Sequence, residues 1–407
     1  MTAGERFIIV GASLAGAKAA EALRDEGFEG AIVLVGEEPV RPYERPPLSK
    51  DYLQGKTEVG KIFVHEERFY VDHDIDLRLS SSAKKIDVAG REVVLGSGER
   101  LHYDSLLIAT GSQPRRISVP GAHLNGVHYL RTLADSDQLR TAINGAKRVV
   151  VIGAGWIGCE VAASARELGI EVAMVEVGGL PLEHVLGPEL GRFYRDIHAE
   201  HGVDLHFGIG VESIRGSDSA EAVRLVDGTL VEGDVIVVGV GVMPCVELAE
   251  ASGLALDNGI VTDQYLATSS PDIYAAGDVA NAWHPLFDRH IRLEHWSAAL
   301  NQGPVAARNM LGMPTPYDRV PYFFSDQYDI GMEYAGFAPD WDEIVFRGDP
   351  ASRKFIAFWL KDGRLVAGMN VNIWEVSETI ANIVASRAPV DRVALADPAV
   401  DLATLVN

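Results

Sequence analysis

Phe7-Ile8-Ile9-Val10 runs straight into Gly11-Ala12-Ser13-Leu14-Ala15-Gly16, and Val149-Val150-Val151-Ile152 runs straight into Gly153-Ala154-Gly155-Trp156-Ile157-Gly158. Each apolar run reads as a buried strand, and the stretches that follow, Ala17-Lys18-Ala19-Ala20-Glu21-Ala22-Leu23 and Cys159-Glu160-Val161-Ala162-Ala163, read as helices. A glycine-rich turn between strand and helix is what a dinucleotide needs, because the backbone must approach the pyrophosphate and the helix must present its positive end to it. One such turn is weak evidence; two in the same context predict two dinucleotide sites. The first motif has Ser13 where the second glycine of the pattern falls, a residue small enough to leave the phosphate approach open.

Both units carry the acidic residue that this pattern places at the end of the second strand. Ala31-Ile32-Val33-Leu34-Val35-Gly36 leads to Glu37, and Glu171-Val172-Ala173-Met174-Val175 leads to Glu176. A carboxylate there accepts hydrogen bonds from an adenosine ribose and repels a 2′-phosphate. With no arginine in the following Val177-Gly178-Gly179-Leu180, the second site is expected to take NADH rather than NADPH.

A longer echo accompanies the motifs. Glu92–Leu95 and Leu101–Tyr103 flank a Gly96-Ser97-Gly98 turn before the strand Leu106-Leu107-Ile108-Ala109 and the exit Thr110-Gly111-Ser112-Gln113-Pro114. In the second half, Ala222–Val226 and Leu230-Val231 flank Asp227-Gly228 before Val235-Ile236-Val237-Val238 and the exit Gly239-Val240-Gly241-Val242-Met243-Pro244. Hairpin, buried strand and proline-bearing exit recur, so one nucleotide-binding unit is read as duplicated. Short apolar strands alternating with helices argue for parallel, doubly wound sheets. Ile273-Tyr274-Ala275-Ala276-Gly277-Asp278 adds another strand ending in a carboxylate, and the simplest topology returns the chain near residue 240 to complete the first site, beside Asp278.

The expected fold class is therefore α/β, with two doubly wound, Rossmann-like dinucleotide-binding domains, the second inserted in the first, and a smaller C-terminal α+β domain. The expected boundaries are 1–112 with 239–314, 113–238, and 315–407. In the last of these, Phe355–Leu360 and Leu365–Met369 form a hairpin about Lys361-Asp362-Gly363-Arg364, and Ile380, Ile383 and Val384 mark the apolar face of a helix.

Composition bounds the function. The net charge of −22 argues against nucleic acid or an anionic membrane as partner. No apolar run approaches the roughly 18–20 residues of a membrane span, and Met1-Thr2-Ala3-Gly4-Glu5-Arg6 lacks a basic leader, so a cytoplasmic protein without a signal peptide is expected. The 2 cysteines, Cys159 and Cys245, form neither a CxxC nor a zinc pattern and are expected as small core residues. His198 and His201 have ligand-compatible spacing, but with no third ligand nearby a solvated helix end is the better reading and no metal is expected. With no coiled-coil or apolar seam visible, a monomer is expected.

The ordered set Gly11-x-Ser13-x-Ala15-Gly16, Arg45-Pro46-Pro47-Leu48-Ser49-Lys50, Ala109-Thr110-Gly111, Gly153-x-Gly155-x-x-Gly158, Ala276-Gly277-Asp278 and Ser325-Asp326-Gln327 resembles the FAD-dependent NADH:ferredoxin reductases over nearly the whole chain. The most specific element is Arg-Pro-Pro-Leu-Ser-Lys; the glycine motifs belong to a wider superfamily with glutathione-reductase-like architecture. The resemblance implies non-covalent FAD in the first site, NADH in the second, and single electrons leaving to a [2Fe–2S] ferredoxin that supplies a cytochrome P450 or a Rieske-type oxygenase. Carried over residue by residue, FAD contacts fall at Ala15, Glu37, Lys50, Ala83, Arg131, Asp278 and Trp296, with Gly11, Ser13, Leu14, Gly16, Arg45, Ala109, Thr110, Gly111 and Gly277 contributed by the motifs. NADH falls to Gly153, Gly155, Trp156, Ile157, Gly158, Glu160, Glu176 and Gly241. Lys50 paired with Glu160 is implied to act catalytically, favouring the negative charge that develops on a reduced flavin. Phe324 stands where several relatives carry tryptophan before Ser-Asp-Gln, which keeps an apolar ring and loses an indole N–H.

The partner is expected to dock transiently, guided by charge, with Arg41, Arg45, Arg289, Arg292, Arg308 and Arg387 as docking cations. Dithiol reductases and single-cysteine NADH oxidases or peroxidases of this fold need a thiol that the stretch Arg41-Pro42-Tyr43-Glu44-Arg45 does not supply. A general NADH oxidase or diaphorase, or a flavoprotein with a signalling role resembling apoptosis-inducing factor, shares the two nucleotide sites and stays open at this point.

Overall fold

The computed structural model of the chain describes residues 4–405. Met1–Ala3 of the N-terminal reading and Val406–Asn407 of the expected C-terminal domain lie outside these. The chain divides into two compact units, the first formed by the residues up to Glu44, Gly60–Gln113 and Met243–Pro321, the second by Arg45–Val59, Pro114–Val242 and the chain from Tyr322 on.

In the first unit the run Phe7–Val10 occupies the centre of a five-stranded sheet. The order is Ile273–Ala275, Ser105–Ile108, Arg6–Val10, Ala31–Val35, Ile75–Arg78, and every pairing is parallel. Strands buried on both faces read as continuous apolar runs, which is why Ile8, Ile9, Leu34, Leu106, Leu107 and Ile108 are almost fully buried. One face packs on the helix Leu14–Asp25 and residues such as Ala306 and Ala307 of the helix Trp296–Met310. The other packs on the antiparallel sheet Ala83–Asp87, Glu92–Leu95, Arg100–His102. Removal of each of these large apolar side chains from water stabilises the fold by about 1.5–3 kcal/mol.

The second unit repeats the plan. Asp204–Phe207, Glu171–Glu176, Arg148–Ile152, Val235–Val238 and Val127–His128 form, in that order, a parallel five-stranded sheet with the glycine-motif strand again at its centre; its edge strand Val127–His128 precedes that strand in sequence, where Ile273–Ala275 of the first sheet comes late in the chain. The echo extends to single hydrogen bonds: Gly11 N–H donates to Val35 O at 2.8 Å as Gly153 N–H donates to Val175 O at 2.8 Å. Likewise Ala109 N–H donates to Val10 O at 2.7 Å and Gly239 N–H to Ile152 O at 2.8 Å. The second glycine unit lies between Ser105–Ile108 and Ile273–Ala275 in sequence, and these two strands pair with one another, so the insertion expected from the sequence is the topology found.

The chain from Tyr322 on belongs to this second unit and forms a five-stranded antiparallel sheet in the order Tyr322–Gln327, Ile330–Gly336, Arg364–Val371, Lys354–Lys361, Glu343–Asp349. The expected hairpin is present, with Asp362 at φ +49° and Gly363 at φ +70°. Ile380, Ile383 and Val384 of the helix Ser377–Ser386 are buried.

Two expectations are corrected. His198 is not at a solvated helix end: it shares the inward face of Pro188–Glu200 with Leu190, Tyr194 and Ile197 and is fully buried. Cys159 is in the core, but Cys245 is only half-buried: it follows the short exit strand Val242–Pro244, with its backbone tied to Gly111 and Thr110. Burial pushes the His198 imidazole down to about 4, with the Gln327 hydrogen bond opposing and His201 adding to the shift. Unfolded histidine titrates near 6.5, so between about pH 6.5 and 4 the unfolded chain binds the extra proton and stability falls as pH falls. Urea unfolding at about pH 7 and pH 5 is expected to show a loss shallower by about 2 kcal/mol in His198→Gln than in the parent. Equal losses would contradict it.

Candidate functional site

In the first unit the glycine turn is fixed by geometry. Gly11 sits at φ +121°, and a Cβ there would lie 2.0 Å from Ala109 O; a Cβ on Gly16 would lie 2.0 Å from Gly11 O. Ser13 is the N-cap residue of Leu14–Asp25 in extended backbone and makes no side-chain cap, and no acidic residue occupies the first turn. The helix Leu133–Gly145 contrasts with this, since its own Thr132 and Asp135 close a capping box. The N-terminal N–H groups of Leu14–Asp25 are thus left for an external anion. Glu37 is exposed just past the second strand. Gly277 donates its N–H to Gln302 Oε1 at 2.8 Å, and the buried Asp278 carboxylate accepts from Ser112 Oγ at 2.7 Å. Ala109, Thr110 and Gly111 cross from sheet to exit strand, with Thr110 Oγ1 donating to Cys245 O at 2.7 Å. The donors and acceptors gathered in this unit fit a dinucleotide.

The second unit has the same cradle. Gly153 is at φ +103° with its missing Cβ 2.3 Å from Gly239 O, and that of Gly158 lies 2.0 Å from Gly153 O. Gly155 is the uncapped N-cap residue of Trp156–Glu167 at φ −78°, and a Cβ on it would meet nothing within 4 Å. That position therefore needs open space rather than glycine backbone, which explains how Ser13 fills its counterpart. Glu176 accepts from Ala154 N–H at 2.7 Å and from Gly178 N–H at 2.8 Å, so it closes the loop while each oxygen keeps a lone pair for a ribose hydroxyl. Gly241, at φ +91°, accepts from Arg115 N–H at 2.9 Å. Trp156 turns its ring inward onto Phe323 and Tyr194, at 5.1 and 6.0 Å between centroids, leaving its backbone and the exposed Ile157 at the helix start.

Also within the second unit, Pro46–Ser49 forms a 3₁₀ turn pinned by two serines: Ser136 Oγ donates to Leu48 O at 2.8 Å and Ser164 Oγ to Ser49 O at 2.7 Å. This turn delivers Lys50 to Glu160, 110 residues away in sequence, with Nζ 3.5 Å from Oε1. Glu160 is 5% exposed and also accepts from Ser49 Oγ at 2.5 Å and Ser325 Oγ at 2.7 Å. Lys50 lies 3.7 Å from Asp326 Oδ2 and 4.6 Å from the Phe324 ring centroid. Burial raises the Asp326 carboxyl, and the Lys50 charge partly offsets it. A half-buried ammonium held by carboxylates over an aromatic face can neutralise an electron-rich group without moving a proton.

The other assigned residues are more dispersed. Arg45 donates to the backbone carbonyl of Arg131, both in the second unit, while Ala83 begins a strand of the first-unit hairpin sheet and Trp296 starts the helix Trp296–Met310. Trp296 hydrogen-bonds Glu44, whose carboxyl burial raises. Of the docking cations, Arg292 is corrected: its side chain is 10% exposed and pairs with Glu294 at 2.6 Å. Arg41 lies over Phe63 and Arg308 pairs with Glu26, whereas Arg289 and Arg387 are exposed. The sequence reading gave no role to Ser49, Ser112, Ser325 or Gln302, because serine and glutamine carry no charge pattern; the adjacency of Ser49 to Lys50 and of Ser325 to Asp326 was the available signal.

The chain matches the pyridine nucleotide-disulphide oxidoreductase family over residues 5–303 and the reductase C-terminal family over 322–406. It is 41% identical to the "Probable ferredoxin reductase CtmF" of Castellaniella defragrans, covering 100% of both chains. It is 39% identical to the anthranilate 1,2-dioxygenase system ferredoxin–NAD(+) reductase component of Burkholderia cepacia, over 98% of this chain and 99% of the other. Among solved structures, the covalent putidaredoxin reductase–putidaredoxin complex matches at TM-score 0.96 and 36% identity, over 100% and 99% of the chains. No helix among the described residues is long and apolar enough to cross a membrane. Likeness of this extent, on a fold with two glycine cradles in register, leaves no other placement: the chain belongs to the pyridine nucleotide-disulphide oxidoreductase family, within its ferredoxin reductases.

Proposed function

We propose that the chain binds FAD in the first unit and NADH in the second, takes a hydride from NADH and passes electrons singly to an iron–sulfur ferredoxin serving a cytochrome P450 or Rieske-type oxygenase. The observation that carries this reading over a thiol-based one is the state of the cysteines. The two are not paired in a disulfide, and burial pushes the Cys159 thiol far up, away from the thiolate that disulfide exchange needs, while Cys245 is tied by its backbone to Gly111 and Thr110. When bound, the flavin supplies the conversion between a two-electron donor and a one-electron acceptor.

The side chains then have distinct tasks. Gly11, Ser13, Leu14, Ala15 and Gly16 hold the flavin pyrophosphate on the helix, Glu37 the ribose, and Asp278 with Gly277 the ribityl side; Ala83, Ala109, Thr110, Gly111, Arg45, Arg131 and Trp296 complete the FAD set. Gly153, Gly155, Trp156, Ile157, Gly158 and Gly241 hold NADH, with Glu176 on its ribose. Lys50, fixed by Glu160, supplies the positive charge that favours the reduced flavin. The partner is transient and steered by exposed cations, Arg289 and Arg387 among them. The protein acts as a cytoplasmic monomer in this reading.

Reduction of a [2Fe–2S] ferredoxin by the flavin-loaded protein, with NADH and NADPH in parallel and a dithiol-disulfide substrate as control, tests the assignment. NADH-selective ferredoxin turnover is expected; turnover of the disulfide alone would overturn it. Glu176→Ala is expected to raise the KM for NADH about tenfold and the NADPH:NADH ratio of kcat/KM by about 10–100-fold, since it removes both a ribose acceptor and a charge that repels a 2′-phosphate. Steady-state kinetics with ferricyanide as acceptor measures both, and an unchanged ratio would show that Glu176 does not set the preference.

A further inference from the structure

From Glu160, whose Oε1 is shared by Lys50 and Ser325, a line of polar groups runs through the interior of the second unit. Ser325 Oγ lies 2.7 Å from Glu160 Oε1, Gln327 Nε2 lies 3.3 Å from Ser325 Oγ, His198 Nε2 lies 3.1 Å from Gln327 Oε1, and Tyr328 OH lies 3.1 Å from His198 Nδ1. Ser325, Gln327 and His198 are each no more than 2% exposed. Such a line is costly to bury unless every member is satisfied.

Donor and acceptor rules fix its direction. A carboxylate only accepts, so the single hydroxyl hydrogen of Ser325 goes to Glu160 and its oxygen is left to accept. Gln327 must then offer its amide NH₂ to Ser325 and turn its carbonyl to His198. The ring therefore carries its hydrogen on Nε2, and Nδ1 accepts from Tyr328 OH. Every hydrogen in the line points toward Glu160. Neutral imidazole is the form this requires, and burial holds His198 in that form above about pH 4. The far end is braced by His201, whose ring stacks on Tyr328 at 3.6 Å between centroids and 9° between planes.

We infer that Tyr328, His198, Gln327 and Ser325 form a one-way hydrogen-bonded line of positioning residues that holds Glu160 as an acceptor in one orientation, and through it the Lys50 ammonium. The line acts on chemistry only through Glu160, so its role in turnover rests on the reading of Lys50 and Glu160 given above; its direction does not.

Histidine ring ¹⁵N spectra of the flavin-loaded protein test it, with the His198 signals assigned by their loss in His198→Gln. The parent is expected to show a single neutral Nε2–H tautomer near pH 7. Ser325→Ala removes the hydroxyl that commits Gln327 to one orientation, so both His198 nitrogens are expected to move toward the average of the two tautomers; Glu160→Leu, which frees the Ser325 hydrogen to turn to Gln327, is expected to move them too. Ser325→Ala is also expected to slow NADH-driven flavin reduction about tenfold at unchanged nucleotide affinity, the effect of one hydrogen bond to a charged group. An Nδ1–H or charged His198 in the parent, or signals that stay in place in both variants, would overturn the inference. If the signals move as expected while Glu160→Gln reduces flavin at the parent rate, the line stands and the catalytic reading of Glu160 fails.

Discussion

Gly11→Ala is expected to yield protein with little or no bound flavin and a markedly lower melting temperature. The backbone at φ +121° is a region that L side chains rarely adopt, which by itself costs about 1–3 kcal/mol. The added methyl would also stand 2.0 Å from Ala109 O and 2.4 Å from Ala109 C, so the exit of Ser105–Ile108 has to move. That exit leads directly into Thr110, Gly111 and Ser112, the last of which donates to Asp278, so a shift there disturbs both sides of the proposed FAD site at once. Ser13→Gly is the control: its backbone is extended and its side chain caps nothing, so its flavin content should stay near that of the parent. Flavin absorbance per protein and thermal melts measure both. A Gly11→Ala protein that purifies with full flavin would show that the turn tolerates a side chain and would remove the geometric argument for the cradle.

What the sequence could reveal follows from the same contrast. Gly11, Gly16, Gly153 and Gly158 are legible because the constraint acts on the backbone of the residue itself, and the apolar runs Phe7–Val10 and Val149–Ile152 are legible because both faces of a central parallel strand are covered. Asp362-Gly363 announces its hairpin for a similar local reason. The hairpin joining Tyr322–Gln327 to Ile330–Gly336 carries no such signal. Its turn is Tyr328-Asp329 with Tyr328 at φ +57°, an unfavourable conformation held by contacts to His198 and His201 from a helix more than a hundred residues earlier. His198 escapes a sequence reading for the same reason: the spacing of two histidines says nothing about which face of Pro188–Glu200 turns inward. Ser49 and Ser325 became visible as Glu160 partners only once three distant segments were brought together.

Lys50→Met is expected to slow NADH-driven flavin reduction by about a hundredfold while changing the KM for NADH little, because removal of one group aimed at developing charge has effects of about that size. The structure gives reasons for a large value. Lys50 is held by Glu160 at 3.5 Å and Asp326 at 3.7 Å, over the Phe324 ring, with the preceding turn fixed by Ser136 and Ser164, so its ammonium is in place before the reaction. A hundredfold effect corresponds to about 2.7 kcal/mol, and if it arises from stabilising the reduced flavin, the two-electron midpoint potential should fall by roughly 60 mV in parallel. Glu160→Gln should give part of the same loss, about tenfold, since the amide keeps an oxygen for Ser325 and Lys50 but loses the charge that fixes the ammonium. The double variant should be little slower than Lys50→Met alone, because residues that act as a unit do not add. Stopped-flow absorbance and spectroelectrochemistry read rate and potential separately. A rate that falls while the potential stays fixed would assign Lys50 to orienting NADH, and a rate unchanged in Lys50→Met would place the source of charge elsewhere.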